Sequence, residues 1–348
     1  MDFVMKISFL KFPLARACLF ALLSASAAYS ELPFTFTDDL NRSVTVFSAR
    51  NTAVLQGSLC SIWLLAGGSV KSATSDCFFE PPEMSKAQAD EMNRQWQTDA
   101  FYERQAGFIN QAQPLQSEQN TAVNIGAMMS PNAELILACG TDFAILSANI
   151  AAHKKLLPLL EAAKVPCAFF DIETFDDYLN MLSICCAITE RSDLLLTNGL
   201  EVKERIVKIT SEAEKSALKK SVLLLRSSAA NVSAKSSQNN MTGAMLKELG
   251  AINIADSNQT SKSKASADLS IEKIASLDPD FVFITLMGAD EAKAIGGFKR
   301  KLESNPLWKE LSAVKNARVY VLPKELFHYK PTSRWDKSYE ILFSILSQ

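Results

Sequence analysis

Histidine is scarce in this sequence, which has only His153 and His328 among 348 residues. A site that captures a bare transition-metal ion needs several imidazole or thiolate ligands that converge. Two histidines do not supply such a set, so we do not expect a site for free zinc or manganese. His153 stands at the start of a predicted helix and is interpreted as a surface or capping residue.

The sequence also lacks the common enzyme signatures. It contains no Gly-x-x-x-x-Gly-Lys-Ser/Thr loop, no Gly-x-Ser-x-Gly turn, no His-Glu-x-x-His pair and no Cys-x-x-Cys pair. Neither histidine has an evident nucleophile partner. We therefore predict no catalytic residues and no enzymatic activity.

An excess of positive charge is missing as well. The chain has 36 lysines and arginines against 38 aspartates and glutamates, a formal net charge of -2, and no basic stripe. Because nucleic-acid binding needs such a stripe, no nucleic-acid partner is expected. With 48% hydrophobic and 21% charged residues, the composition is that of a folded globular protein.

A long apolar run is absent, but the N-terminus has the features of a secretory signal. Three basic residues precede a short apolar run at 17–23, and small residues follow as far as Ser30. We predict a signal peptide over 1–30, cleaved after Ala27 or Ser30. The alternative is an uncleaved anchor, although the run is too short to span a bilayer. Arg16 lies close before Cys18 and argues against a lipoprotein, so a free periplasmic protein, not itself membrane-spanning, is expected.

Six cysteines follow the predicted signal. An oxidising compartment permits disulfides, but their pairing cannot be deduced from sequence. Several of these cysteines stand in apolar runs, which favours buried free thiols.

Strands alternate with helices along the remainder, after a predicted hairpin at 34–47, which indicates an α/β fold with mainly parallel sheets. Residues 31–173 are predicted to form a first lobe with a helical insertion at about 80–119. Residues 174–220 have no proline and one glycine, Gly199, and their helical periodicity predicts a long linking helix capped by Thr174 and broken near Gly199. Residues 221–348 are predicted to form a second lobe and a closing helix.

An internal repeat indicates that the two lobes are similar. Residues 130–146 and 268–284 share a glutamate (Glu134, Glu272), an apolar helix, an aspartate eight residues later (Asp142, Asp280), a phenylalanine and a buried strand. Chance similarity between two generic helix-strand units is the alternative. A helix between the lobes resists bending, so small ligand-dependent motion and a preformed cleft are expected.

Ligands of α/β sheets bind beyond the carboxyl ends of the strands, and this rule selects the residues after four predicted strands, at 57–58, 147–149, 226–228 and 287–288. Arg226 directly follows such a strand, and anion contact is favoured over a structural ion pair. The loop from His328 to Trp335 either contacts a carboxylated, aromatic or macrocyclic metal complex or packs the last helix onto its lobe. The predicted cleft residues are Ser58, Trp63, Met129, Asn149, Arg226, Ser228, Asn240, Met287, His328, Tyr329, Lys330, Arg334 and Trp335.

Four segments resemble one known family. They are residues 37–46 (TDDLNRSVTV), 130–134 (SPNAE) with the strand that follows, 277–284 (LDPDFVFI) and 305–323 (NPLWKELSAVKNARVYVLP). Together they are similar to the helix-linked substrate-binding proteins of ABC importers for iron-siderophores, haem and cobalamin. The loop after the first strand departs from the family pattern Ser-Pro-Ser-x-Thr-Glu.

The resemblance implies a monomeric periplasmic receptor for a chelated metal, with no cofactor of its own. Its partners would be the metal complex and an ABC permease dimer with its ATPase. By position, Glu134 and Glu272 match the glutamates with which such receptors dock onto permease arginines, and stabilisation of helix starts is the alternative role. The competing function is a two-lobed enzyme of metal-chelatase type that acts on a tetrapyrrole.

Overall fold

The computed structural model describes residues 32–78, 122–238, 240–258, 270–288 and 290–348. The predicted signal peptide (1–30) and the predicted helical insertion (80–119) therefore lie outside the described residues. The chain begins with the predicted hairpin, in which β1 (Phe34–Thr37) pairs antiparallel with β2 (Ser43–Val46). The Asp38 carboxylate organises the turn between them, because its Oδ1 accepts from the backbone N–H groups of Leu40 and Arg42.

The first lobe contains a sheet of five strands, β3 (Thr52–Val54), β4 (Ser72–Ala73), β5 (Val123–Asn124), β8 (Phe143–Ser147) and β9 (Cys167–Phe170). The strands are parallel and lie in the order β5-β4-β3-β8-β9. A small antiparallel pair, β6 (Gly126–Ala127) and β7 (Ser130–Pro131), follows β5. The lobe's helices are α1 (Gly57–Leu65), α2 (Ala133–Ala138), α3 (Ala151–Lys154) and α4 (Leu157–Ala162), and a 3-10 turn spans Ser75–Phe78.

The second lobe is built on a second five-stranded sheet, in which β10 pairs in parallel with β12 and β13, β13 with β14, and β11 antiparallel with β10. The strands are β10 (Ser221–Ser227), β11 (Val232–Ala234), β12 (Ile252–Asn253), β13 (Phe281–Leu286) and β14 (Val319–Val321). The linking segment, described below, contains helices α5 to α7, so the helices of the second lobe begin at α8. They are α8 (Met241–Glu248), α9 (Ile271–Leu277), α10 (Glu291–Phe298), α11 (Pro306–Glu310), α12 (Ser312–Lys315), α13 (Lys324–Phe327) and α14 (Trp335–Leu346). The predicted α/β class with mainly parallel sheets is confirmed.

The repeated aspartates have the same structural role in both lobes. In the first lobe the Asp142 carboxylate accepts from Ser48 Oγ at 2.5 Å, Arg50 N at 3.2 Å and Asn51 N at 2.9 Å, just before β3. In the second, the Asp280 carboxylate accepts from Ser221 N and Ser221 Oγ, both at 2.8 Å, at the start of β10. Each aspartate precedes one strand and fixes the start of its parallel neighbour. The sequence repeat therefore reflects a structural repeat.

Replacing Asp142 by alanine should lower the free energy of unfolding by roughly 2 kcal/mol or more, because two backbone N–H groups and a hydroxyl lose a charged acceptor. Urea unfolding monitored by circular dichroism would measure the change. The exposed carboxylate variant Glu212→Ala should change stability by less than about 0.5 kcal/mol. Equal stability of the two variants would contradict the role assigned to Asp142.

The linking segment differs from the single predicted helix. The first helix, α5 (Phe175–Thr189), begins with the predicted Thr174 cap, in which Thr174 and Asp177 form a capping box. It ends at Glu190, whose φ of 60° is left-handed, and the chain then reverses. The second arm runs through α6 (Ser192–Leu195), a π-helical turn (Leu196–Leu200) and α7 (Glu201–Lys215).

The two arms pack against each other as an antiparallel hairpin. Tyr178 Oη donates to the Asn198 carbonyl at 2.8 Å, and a Cβ added at Gly199 would lie 2.8 Å from Leu179 Cδ1. Gly199 therefore permits close helix contact and marks the π-helical turn rather than a break, and the prediction that placed the break there was wrong. The second arm leads into the second lobe.

The largest apolar core crosses from one lobe to the other. It contains Val54 and Phe170 of the first sheet, Leu224 and Phe283 of the second, and buried residues of α5, α7 and α14. The six cysteines among the described residues are free, and four of them are buried, in agreement with the thiol prediction. Within the described ranges, no helix is long and apolar enough to cross a membrane.

Candidate ligand-binding cleft

Two neighbouring recesses open where the carboxyl ends of the first-lobe strands face the second lobe. The Lys330 recess, of about 240 Å³, is lined mostly by residues that follow β3, β8 and β9, together with Lys330. The acidic recess, of about 390 Å³, is lined by Asp39, Asp171, Glu173, Thr174 and Asp177 and by four second-lobe residues, Ser237, Gln238, Asn240 and Ala244. Asp171 and Glu173 line both recesses. The two recesses therefore adjoin each other between the lobes, and we refer to them together as the cleft.

The Lys330 recess contains four of the predicted cleft residues: Ser58, Met129, Asn149 and Lys330. Ser58 lies in the first turn of α1, where the Asp76 carboxylate accepts from Gly57 N at 2.7 Å and caps the helix. The Asn149 amide donates to the Asp171 carboxylate. Met129 is 63% exposed, so it offers an apolar surface at the rim of the recess.

His153 holds this rim in place. It is fully buried, contrary to the prediction of a surface or capping residue. Its Nδ1 accepts from Ser147 N at 3.0 Å, and its Nε2 lies 2.9 Å from the Met128 carbonyl, to which it donates in the neutral tautomer that this pairing requires. Burial lowers the pKa of His153 and favours that neutral form. His153 therefore ties the loop that carries Met129 to the end of β8.

Basic side chains of the second lobe lie beside the cleft, but only Lys330 lines a recess, and Arg226 and His328 line neither. Arg226 lies near the end of β10, and burial lowers its pKa, while the carboxylate of Glu173 opposes that effect. Burial also lowers the pKa of Lys330, while the carboxylates of Glu173, Asp171 and Asp177 oppose that effect. Burial, followed by the charges of Arg226, Lys324 and Lys330, lowers the pKa of His328 to about 4, so this imidazole is neutral at pH 7.

Two polar atoms of this basic cluster, which we define as Arg226, His328 and Lys330, have no hydrogen-bond partner. They are the Arg226 Nε and the His328 Nδ1, both buried and unpaired within the part of the chain that the structure describes. Burying a cation or a polar nitrogen without a partner costs free energy. An anionic group that reached these nitrogens would supply the missing partner, and its charge would add to that of Glu173 and Asp171, which already face the cluster.

Two predicted cleft residues are misplaced, since both tryptophans belong to the core. Trp63 is 1% exposed, donates from Nε1 to the Ser69 carbonyl at 2.8 Å and packs edge-on against Phe143. Trp335 is fully buried, with its ring 5.9 Å from Phe175 and 6.1 Å from Tyr178. Trp335 therefore joins α14 to the linking segment beneath the cleft.

The remaining predicted residues surround the cleft without sharing one recess. Asn240 lines the acidic recess but is 6% exposed, and its side chain caps α8 by accepting from Gly243 N. Ser228 bonds to the Asn231 carbonyl in the turn after β10. Met287 is 42% exposed just after β13, and Arg334 is half-buried before α14. The Tyr329 ring lies 5.2 Å from that of His328 and receives the Lys324 ammonium 5.3 Å from its centre.

Several cleft residues were missed by the sequence prediction. Asp171 and Glu173 directly follow β9, so the rule used for the other strand ends also applied there and could have found them. Asp39, in the turn of the first hairpin, accepts from Asp171 N at 2.7 Å, a contact between distant segments that no local pattern indicates. Ser237 carries no recognisable signal in the sequence.

The glutamates of the repeat occupy equivalent positions outside the cleft. Glu134 is the second residue of α2, whose cap Asn132 accepts from Leu135 N, and Glu272 is the second residue of α9, whose cap Ser270 accepts from Lys273 N. Both side chains are exposed. The pKa of Glu272 is lowered by hydrogen bonds with its own backbone N–H and with Ser270, which stabilises the charged form.

Known proteins resemble the chain in sequence and in fold. It is 28% identical over 210 residues to the putative ABC transporter substrate-binding lipoprotein YhfQ of Bacillus subtilis, covering 57% of this chain and 61% of that protein. It is 30% identical over 203 residues to the Fe(3+)-citrate-binding protein YfmC of the same organism, covering 57% and 58%. The chain thus spans about three fifths of the length of these relatives.

A solved structure shows the same fold. The iron-uptake system-binding protein FeuA of Bacillus subtilis superposes with a TM-score of 0.62 at 18% identity, covering 90% of this chain and all of that chain. At this identity the likeness concerns the fold alone. Like that protein, the chain has two α/β lobes.

The pattern that defines the family "periplasmic binding protein" matches residues 103–326, which is more than half of the chain. This confirms the resemblance seen in the sequence. It also confirms, at the level of the family, the expectation of a binding protein rather than an enzyme. The chain belongs to the periplasmic binding protein family.

Proposed function

We propose that the protein is the periplasmic receptor of an ABC importer, that it binds a metal chelate between its lobes, and that it delivers this chelate to a permease dimer with its ATPase. The observation that carries the proposal is the basic cluster, in which Lys330 lines the interlobe cleft and the Arg226 Nε and His328 Nδ1 are buried and unpaired among the described residues. Such a cluster fits carboxylate, catecholate or hydroxamate oxygens around a ferric ion. Similarity to an Fe(3+)-citrate-binding protein and an iron-uptake protein supports the same class of ligand.

A chelate fits the cleft better than a bare ion. Within the described ranges, no group of three or more histidine, cysteine, aspartate or glutamate side chains is arranged to hold a metal ion. Both nitrogens of His153 are occupied by backbone groups. The metal would therefore arrive with its own ligands, and the protein would recognise the outer surface of the complex. Haem and cobalamin belong to the same range of candidate ligands.

Tryptophan fluorescence of the purified mature protein tests the proposal. Trp335 lies beneath the cleft, in contact with Phe175 and Tyr178, so ligand binding between the lobes should change its emission. We expect saturable binding, at micromolar concentration or below, of at least one chelate among ferric citrate, a ferric triscatecholate, ferric trihydroxamates, haem and cobalamin. Absence of saturable binding across this set would contradict the proposal. Conversion of a bound tetrapyrrole would instead favour the chelatase-like enzyme.

A further inference from the structure

Two cysteines of the first lobe, Cys60 and Cys77, face each other where α1 packs against the 3-10 turn at Ser75–Phe78. Gly57 N donates to the Asp76 carboxylate at 2.7 Å, and a Cβ added at Gly57 would lie 2.8 Å from the Asp76 carbonyl oxygen. This face of α1 therefore packs directly on the turn. Cys60 lies one helical turn after Gly57 on the same face, and Cys77 directly follows Asp76.

The two thiols meet at the edge of the core that both lobes share. Cys60 is 5% exposed and belongs to that core, and Cys77 packs against it. The Cys77 thiol donates to the Val54 carbonyl at 3.6 Å and lies 3.7 Å from Thr74 Oγ1. The pKa of Cys77 is raised, first by a hydrogen bond with the Cys60 thiol and then by burial. Two separate segments of the first lobe thus bring their sulfur atoms into contact.

The other cysteines have different surroundings. Cys185 and Cys186 are neighbours on α5, and adjacent Cα atoms are about 3.8 Å apart, closer than the roughly 4.4 Å that a disulfide usually needs. The sulfur of Cys167 lies 3.8 Å and 3.9 Å from the two terminal guanidinium nitrogens of Arg42. Cys139 stands at the end of α2. Disulfide formation is therefore favoured at the pair described above.

We propose that Cys60 and Cys77 are oxidised to a disulfide after export, and that this bond fastens α1 to the turn. The inference rests on the periplasmic location in the proposed function, because the periplasm is oxidising, and it does not depend on the ligand. Both thiols are free in the structure, which therefore represents the reduced form. The remaining four cysteines of the mature chain stay thiols.

The oxidant would be the disulfide of a periplasmic thiol–disulfide oxidoreductase. One thiolate of the pair attacks that disulfide and forms a mixed disulfide, which the second thiolate then resolves. The two sulfurs together give up two electrons and two protons and form one S–S bond. The oxidoreductase takes up these electrons and protons and becomes a dithiol.

Burial of the pair determines when the bond can form. The nucleophile in this exchange is a thiolate, and the raised pKa of Cys77 keeps its thiol protonated in the folded protein. We therefore expect oxidation before the lobe closes around the pair, and resistance of the folded protein to dithiothreitol afterwards. Because α1 carries Ser58 into the Lys330 recess, the bond would also hold that wall of the cleft in place.

Thiol counting on the exported protein tests the inference. The full chain is recovered from the periplasm and alkylated with iodoacetamide in denaturant, with and without prior reduction. Six cysteines follow the predicted signal, so the reduced sample should carry six alkyl groups and the unreduced sample two fewer. The tryptic peptides 51–71 and 72–86 each contain one cysteine of the pair. Mass spectrometry should find these peptides linked in the unreduced sample and separate after reduction.

Alanine variants separate the bond from the packing of the side chains. Cys60→Ala should expose every remaining thiol to alkylation and lower the unfolding temperature by roughly 5 °C, because the unfolded chain gains entropy when the ring is opened. The double variant Cys60→Ala and Cys77→Ala should unfold at nearly the same temperature, since the single change already removes the bond. Cys139→Ala is the matched control and should retain the linked peptides.

Three results would contradict the inference. Alkylation of all six cysteines in exported, unreduced protein would overturn it and leave the proposed function standing. A bond between any other two cysteines would overturn it as well. Protein that stays in the cytoplasm would contradict the periplasmic location, and with it both the proposed function and this inference.

Discussion

Simultaneous replacement of Glu134 and Glu272 by lysine should abolish uptake of the ligand in cells and leave the affinity of the purified protein unchanged. Both glutamates are exposed, both are the second residue of a helix, and the helices occupy the same place in the two lobes. Two carboxylates related in this way can pair with arginines on both halves of a two-fold permease. Charge reversal turns both attractions into repulsions, so the effect on transport should be near complete.

The control for this experiment must separate docking from stability. Lysine at a helix N-terminus is unfavourable by about 0.3–1 kcal/mol, so the double variant should still fold. The double variant Glu212→Lys and Glu214→Lys makes the same change of net charge on α7 and should transport normally. If the two glutamates only stabilise their helices, thermal unfolding will shift and uptake will persist. A loss of ligand affinity would show that Glu134 and Glu272 belong to the ligand site and not to a docking surface.

Arg226→Gln should weaken binding of an anionic ferric chelate by roughly 10- to 100-fold. The basis is the loss of a charge-assisted hydrogen bond, worth about 1.5–3 kcal/mol, in a buried setting. Glutamine retains a polar group of similar length, so packing around β10 should be preserved. Isothermal titration calorimetry with ferric citrate or a ferric triscatecholate would measure the change.

Lys208→Gln is the matched control, because it removes one positive charge from an exposed position of α7. Its affinity should equal that of the wild type. Arg226→Gln with wild-type affinity would remove Arg226 from the site and would leave its buried Nε without a function. A variant that fails to fold is recognised by its circular dichroism, and Arg226→Lys then supplies a second test, since it keeps the charge but not the planar fork.

The sequence predicted the elements that depend on local chemistry. Thr174 was found as a helix cap because a threonine followed by acidic residues satisfies free N–H groups at a helix start. The equivalence of the lobes was found because Asp142 and Asp280 stand at the same place in the sequence repeat. Each carboxylate fixes the start of the corresponding strand of its lobe, β3 or β10. The break at Glu190 was missed, since glutamate has no preference for left-handed backbone, whereas Gly199 is a better candidate by residue type.

The candidate site was harder to predict because it depends on contacts between distant segments. Periodicity shows that one face of a helix is buried, but it does not show what covers that face. Trp63 and Trp335 were therefore assigned to the cleft although they pack inside the protein. Arg226 was identified because it lies at a strand end, and Lys330 because its loop combines a cation with imidazole, phenol and indole groups. Asp39 and Ser237 are distant in sequence from the other cleft residues, and only the folded structure brings them to the cleft.

The apolar core that runs through both lobes and the linking segment affects how the protein unfolds. Trp335 on the last helix contacts Phe175 and Tyr178, and Arg205 of α7 bonds to Asp336 at 2.6 Å, so the C-terminus closes onto the middle of the chain. A lobe separated from its partner would expose its share of this core to water. The described part of the chain should therefore lose its structure in one cooperative transition, and neither lobe should serve as an independent folding unit.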